Sequence, residues 1–477
     1  MRDAIFDYLR DHEHELLEDI LRLVSVRSVT DDRVESRRAL AVFLELAAGY
    51  GLEARSVAGG DVGIVEFGPR LPPGAETLGI LAHVDVVDPG DLSSWSRNPW
   101  GEIAAGSVWG RGTQDDKGPL LMCLHAVRAM VACGHPVRKR IRFVVGTMEE
   151  ADWADIRRWL TEPDARPPDY GFTPDGEFPV INREKGYCDA WLSFPAESAS
   201  TVGPFRLESL ESGTSINSVP DSARATISGL GVRPVAIAAL ASASSALRES
   251  VSIALGPDDR AVLLARGRAA HSSRPDLGSN ALVALCRAIS LLGRNTIAAF
   301  VTERIVGDYL TSGLEIRNGR EEVVGECIGP ATISPDIART DESSFHIGIN
   351  IRTSFGQGLD DIAAAFCCEA SRYAFSFRLE QFMPAILVRR DQPFMQDLAA
   401  AYEARTGERG EFLLAPGSSY AKALPNHVAF GPILPTMTDL CHQADERLSL
   451  EEIRSITAIY AEAIASISAG EPLRQRS

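Results

Sequence analysis

The sequence predicts an α/β fold with a second, α+β domain inserted into it. Strand and helix patterns alternate from residue 4 to about 187, change texture from about 188 to 382, and resume their alternation after 382. A chain of 477 residues exceeds one ordinary domain. Its 45% hydrophobic content supplies material for more than one core.

Residues 4–24 carry Ile5, Leu9, Leu16, Ile20 and Leu23 near a helical period. A second helix is expected from about Ser36 to Ala48, ending near Gly51. Short strands follow at 52–57 and 62–67, then a buried strand at 77–87. The 116–132 segment sets Leu120, Leu121, Leu124, Val127 and Met130 on one side of a helix. RIRFVVG, residues 140–146, is another buried strand, followed by a short helix at 151–160. In the middle block, strands at 187–194, 205–211, 223–227, 262–267 and 346–353 are interleaved with helices at 233–247, 279–293 and 359–371. The last part holds a strand at 385–389, a helix at 393–406, a strand and loop at 411–423, a strand at 427–434 and a helix at 449–468. LSLEE supplies a capped start to that helix, and the tail EPLRQRS is expected to fray.

A net charge of -17 argues against nucleic acid or an anionic membrane surface as partner and suits cations. The N-terminal stretch lacks the apolar core of a signal peptide, and no run of about eighteen apolar residues spans a membrane. Eight cysteines form no CxxC pair and read as scattered thiols of a reducing cytoplasm.

The chemistry gathers between Leu81 and Gly118. His83 and Asp85, two apart near a strand end, are expected on one face, with Asp85 taking the second ring proton of His83 and freeing the other nitrogen for a metal. The turn Gly110-Arg111-Gly112-Thr113-Gln114 ends in Asp115 and Asp116; on local evidence these equally suit a helix cap. Glu149 and Glu150, at the mouth of a buried strand, repel each other unless a cation or shared proton relieves them. Asp175 sits in a Pro-Asp-Gly turn, and His442 in a loop before a helix; each also has an ordinary structural reading.

Together, HVDVV, SWSRNPWG, GRGTQDDKGP, GTMEEADW, FTPDGEFPVINREKG and CHQADERLSL, in that order, resemble the dinuclear zinc peptidases related to aminoacylase, carnosinase and bacterial Xaa-His dipeptidases. The GRGTQDDKGP form and the chain length are similar to the PepV-like dipeptidase branch. The resemblance implies a mixed-sheet, zinc-peptidase-type catalytic domain, 1–187 with 383–477, and an inserted lid, 188–382. It implies two divalent ions, zinc first, with manganese or cobalt as alternatives. His83 and Asp175 would hold one ion, Glu150 and His442 the other, and Asp115 would bridge them. Glu149 would be the general base and Asp85 would orient His83. Three ligand carboxylates against two dications leave a site of about +1, which favours a developing oxyanion.

In the lid, GRAAHSS resembles the segment whose histidine, here His271, polarises the scissile carbonyl. Asn217 and Arg352 match positions that bind the terminal carboxylate of the substrate. Alone, His271 reads as a turn histidine and Arg352 as a solvated strand residue. One loop departs from the pattern: where relatives carry Gly-Gly-Thr-Tyr-Ala-Arg, this chain has Gly417-Ser418-Ser419-Tyr420-Ala421-Lys422. Ser418 is then a substrate-side residue, and substrate preference is the property in question. The expected partner is a small dipeptide, with a monomer sufficient and a dimer open. The rivals are an N-acyl amino acid amidohydrolase with the same metals and a non-catalytic binding protein on the same fold.

Overall fold

The apolar runs at 77–83 and 140–146 become neighbouring parallel strands, Thr77–His83 and Arg140–Gly146, paired from Thr77 opposite Arg140 to His83 opposite Gly146. Every residue of Thr77–His83 is buried, as a strand covered on both faces requires. The structure, a computed structural model, describes residues 2–69, 76–255, 259–305, 314–415 and 417–470; the tail EPLRQRS lies outside the described residues.

The chain divides into two units. One comprises residues up to Arg183 with Leu387–Ala415 and those from Ser419 on; the other is Glu184–Ile386 with Pro416–Ser418. The first unit has a nine-stranded mixed sheet among the described residues, in the order Glu53–Val57, Val62–Phe67, Arg140–Gly146, Thr77–His83, Tyr170–Thr173, His427–Ala429, Val180–Glu184, Ile386–Leu387, with Phe412–Ala415 on Val180–Glu184. Helix Lys117–Ala132 packs against Glu13–Val24 and Leu450–Ala469. It is buried on every side from Lys117 to Val127, more than the one-sided stripe its pattern predicts, because helices as well as the sheet enclose it.

The second unit carries an antiparallel nine-stranded sheet among its described residues: Val251–Leu255, Arg260–Arg266, Ser222–Ser228, Phe205–Ser212, Thr332–Thr340, Ser344–Arg352, Tyr187–Pro195 and Ser376–Met383, with Thr201–Val202 on Phe205–Ser212. Helices Ala281–Leu292 and Leu359–Tyr373 contribute to its core together with Ile347, Ile349 and Ile351.

Several expectations need correction. The 4–24 segment is two helices, Arg2–Asp11 and Glu13–Val24, broken at His12. The 233–247 segment is also two, Val232–Ala241 and Ser245–Ser250. The strand expected to reach 87 stops at His83, because Val86 leaves the ladder to bond Ser28 and Thr30. Strand Thr332–Thr340 is unforeseen: Pro335 and Asp336 break its pattern, and its pairing register shifts between Pro335 and Ile337. The C-terminal helix starts as expected, with Ser449 accepting from the Glu452 amide and the Glu452 carboxylate accepting from the Ser449 amide. Among the described residues no helix is long and apolar enough to cross a membrane.

Candidate metal centre

His83 closes the buried strand Thr77–His83, and its ring is fully buried. Its Nδ1 lies 3.0 Å from the backbone oxygen of Asp85 and 3.5 Å from the Asp85 Oδ1. The nearer acceptor is therefore the carbonyl rather than the expected carboxylate. Either partner gives the same result: the Nδ1 proton is fixed, and Nε2 is the nitrogen whose lone pair a metal can take. The Asp85 carboxylate turns elsewhere. It accepts from the Thr30 hydroxyl at 2.8 Å and from the backbone amides of Glu149 and Glu150, both at 3.2 Å. One buried acid thus shapes both the histidine and the turn with the paired glutamates.

Asp115 ends the glycine-rich turn. Gly112 adopts φ +94°, open to glycine at little cost, and a Cβ on Gly118 would meet the Thr113 carbonyl oxygen at 2.2 Å. The turn is held from behind by Glu446, which is fully buried. The Glu446 Oε1 accepts from the amides of Gly112 at 3.0 Å, Gln114 at 2.8 Å and Asp115 at 3.3 Å; its Oε2 pairs with Arg111 at 2.6 Å. The sequence reading missed Glu446; its position four residues after His442 is the signal that was there to find.

The five ligand candidates converge in the first unit. His83 Nε2 lies 3.0 Å from Asp115 Oδ1 and 3.8 Å from Asp175 Oδ2. His442 Nε2 lies 3.0 Å from Asp115 Oδ2 and 3.0 Å from Glu150 Oε1. They form two groups that share Asp115, His83–Asp115–Asp175 and Asp115–Glu150–His442, with ligand atoms in each within 4.8 Å of one another. Glu149 belongs to neither group, and its carbonyl accepts from the Trp153 indole at 2.7 Å. Asp116 is fully buried and accepts from the His83 amide at 3.2 Å.

Whether these residues fit metal ions is tested by their own geometry. His83 Nε2 and Asp115 Oδ1 are buried and only 3.0 Å apart, yet neither has a hydrogen-bond partner. Two such atoms aimed past one another suit a third centre that both can donate electrons to. The electrostatics agree. Burial, reinforced by the charge of Asp115, pushes Asp175 up to about 8. Burial also raises Glu149 and Glu150. Burial acts the same way on Asp115, but the hydrogen bond to His442 and the nearby His83 imidazole outweigh it and hold that carboxyl well below its usual range. Without metal, the acids outnumber the two imidazoles and are held together by shared protons, and oxygen-and-nitrogen donor sets of this kind take zinc, manganese or cobalt.

The second unit holds the other candidates. The Asn217 and His271 segments are zipped together: Ser218 bridges His271, and the Ser272 amide donates to the Asn217 carbonyl at 3.0 Å. His271 Nδ1 accepts from the Ser273 amide at 3.1 Å, which puts the proton of the neutral ring on Nε2. Asn217 Oδ1 accepts from Asn350, whose own Oδ1 accepts from Arg352 Nε, each at 3.0 Å. Asn350 was not foreseen. Ser418 is half-buried and precedes Ser419, the cap of the turn Tyr420–Ala423.

The sequence model of peptidase family M20/M25/M40 matches residues 79–466, which include all five ligand candidates. The chain belongs to this peptidase family. Two bacterial relatives are each 30% identical: "Putative dipeptidase YtjP" of Bacillus subtilis over 96% of this chain and 98% of its own, and "Putative dipeptidase SH1171" of Staphylococcus haemolyticus over the same shares. Among solved structures, human carnosine dipeptidase 1 is similar with a TM-score of 0.59 at 14% identity, covering 98% of both chains. The aminoacylhistidine dipeptidase of Vibrio alginolyticus is similar with a TM-score of 0.57 at 14% identity, covering 96% of both. These two likenesses are likenesses of fold, and they match an M20 architecture of one mixed-sheet unit and one inserted unit.

Proposed function

We propose that this peptidase is a metal-dependent dipeptidase that holds two divalent ions, one on His83 and Asp175, one on Glu150 and His442, with Asp115 shared. The observation that carries the reading is the pair of ligand groups meeting at Asp115. The naming of its relatives as dipeptidases supports the substrate class.

Bound at such a site, two cations supply Lewis acidity for the scissile carbonyl and a water acidified toward neutral pH. The chain's residues do the rest. His83 is held as an Nε2 lone pair by the Asp85 carbonyl. Glu149, outside both ligand groups, takes a proton from the attacking water and passes it to the leaving amine. His271, with its proton on Nε2, donates to the carbonyl oxygen as charge develops there. Arg352 and Asn217 bind the terminal carboxylate, and Ser418 lines the substrate side. Zinc is the first choice of ion, manganese and cobalt the alternatives. We also propose a reducing, cytoplasmic setting, which eight thiols without a disulfide favour.

The test is a dipeptide-library assay after dialysis against chelator, with zinc, manganese or cobalt added back singly. Loss of turnover on dialysis and recovery with at least one ion is expected. Absence of hydrolysis with every ion sinks the reading, and faster cleavage of N-acyl amino acids than of dipeptides replaces it with the amidohydrolase.

A further inference from the structure

Asn350 lies on strand Ser344–Arg352 opposite Ser334 on one side and Asp189 on the other. Ile347, Ile349 and Ile351 belong to the core of the unit, so Asn350 and Arg352 point to the opposite face of the sheet. Both are nonetheless buried, Asn350 completely. The two acids beside them each take hydroxyl donors from their own neighbourhood, although the second oxygen of Asp189 has no partner. Asp336 takes the hydroxyls of Ser272 and Ser334, each at 2.5 Å, and Asp189 takes the Tyr187 hydroxyl at 2.7 Å. The Arg352 guanidinium lies over the Tyr187 ring, 4.6 Å from its centroid.

Hydrogen-bond bookkeeping then fixes the direction of each amide. An arginine Nε can only donate, so the Asn350 group facing it at 3.0 Å is the acceptor, Oδ1. The other end of Asn350, the donor Nδ2, therefore faces Asn217 at 3.0 Å, and the group it meets there is the Asn217 Oδ1. Asn217 is exposed, and its own Nδ2 is turned away from Asn350. Among the described residues the one hydrogen bond of Arg352 runs through Nε, which leaves the terminal nitrogens uncommitted.

We infer that Asn350 is a positioning residue for substrate specificity: it locks Asn217 and Arg352 as a donor-only pair, so that the pair recognises a free carboxylate and rejects a neutral amide end. The inference rests on the reading of Asn217 and Arg352 as the carboxylate-binding residues. An asparagine free to flip would present an oxygen half the time, and a carboxylate would then meet an acceptor.

The test compares alanyl-alanine with its C-terminal amide on the metal-loaded enzyme. In the wild type the dipeptide should bind more tightly than the amide. In Asn350→Ser and Asn350→Asp the KM for the dipeptide should rise about 10- to 100-fold, as for loss of hydrogen bonds to a charged group, with kcat nearly unchanged. The KM for the amide should hardly move. Asn217→Asp, at an exposed position, keeps an oxygen toward Asn350 and turns an oxygen outward. It should raise the dipeptide KM alone, whatever the fate of the buried variants. Equal changes for both substrates, or a fall in kcat with KM constant, overturn the inference and leave Asn350 as a support of the fold. A wild type that binds dipeptide and amide equally overturns the carboxylate reading, and this inference with it. A wild type that cleaves neither removes the proposed function itself.

Discussion

Half-buried Asp175 and buried Arg352 are both ionisable groups drawn out of water, and the two units treat them in opposite ways. In the first unit, burial and the neighbouring Asp115 push Asp175 up to about 8, and among the described residues its ion-pair partner is His83 rather than a lysine or arginine. In the second, burial pulls Arg352 down to about 10, but Tyr187, Asp189 and Asp336 restrain the fall and the group stays charged. The first unit stacks acceptors and leaves His83 Nε2 and Asp115 Oδ1 without partners. The second gives Asp189 a hydroxyl from Tyr187 and Asp336 two from Ser272 and Ser334, and among the described residues the terminal nitrogens of Arg352 make no hydrogen bond. A cluster short of positive charge calls for cations; a cluster of donors calls for an anion.

The sharpest way to break this contrast is to remove the shared acid. Asp115→Ala takes a ligand from both groups. We expect no measurable turnover and a metal content falling from about two ions per chain to about one or fewer, read by elemental analysis. Full metal content in that variant would refute the shared site. Glu149→Gln comes next. It should keep both ions and lower kcat about 10²- to 10⁴-fold, the usual contribution of a general base. Loss of metal in Glu149→Gln would instead make Glu149 a ligand.

Much of this was legible in the sequence, and the reasons differ by residue. Strand Arg140–Gly146 announced itself through the continuous apolar run Phe143–Gly146, as a strand buried on both faces favours. The five ligand candidates could be picked out because each sits in a short motif at a strand end or turn, and the fold brings them together in two groups. The second-unit strand Thr332–Thr340 was not, since Pro335 and Asp336 mark a register shift that period-two patterning cannot express. Asn350 and Glu446 escaped for another reason. Their roles depend on partners distant in sequence: Asn217 lies 133 residues from Asn350, and Gly112 lies 334 from Glu446. The Asp85 partner atom escaped as well, because the strand was expected to run on to residue 87 and ends at His83.

Glu446 offers a smaller and more selective effect. It touches no ligand side chain; it holds the amides of Gly112, Gln114 and Asp115. Glu446→Gln keeps one acceptor oxygen but gives up the charge opposite Arg111. Metal affinity measured by chelator competition should fall about 10- to 100-fold, the range for groups that orient metal ligands. With saturating metal, kcat should largely return. A kcat defect that excess metal cannot repair would mean that the turn itself is misplaced.

The smallest effect lies in the pH dependence of stability, and its sign separates the metal-free protein from the loaded one. In the metal-free protein, Asp175 has its pKa raised to about 8, and Glu149 and Glu150 are raised as well. His83 and His442 also hold their protons more firmly than in the unfolded chain, because Asp115 and their other acid neighbours outweigh burial. Asp115 and Asp85 are lowered, so above about pH 5 they are ionised whether folded or not and add no slope. From about pH 6 to about pH 8 the folded state therefore binds more protons than the unfolded one. Stability must fall as pH rises: the raised carboxylates become charged at a cost, and the stabilisation of the histidine protons is fully present only below their unfolded pKa. Metal reverses the balance, since its ligands must be deprotonated to bind. Thermal unfolding should show the Tm of chelator-treated protein falling by a few degrees across that range, with the zinc-loaded Tm level or rising. A metal-free Tm that rises with pH would mean that the carboxylates of the first unit are already neutralised by protein groups, and the contrast between the two units would be lost.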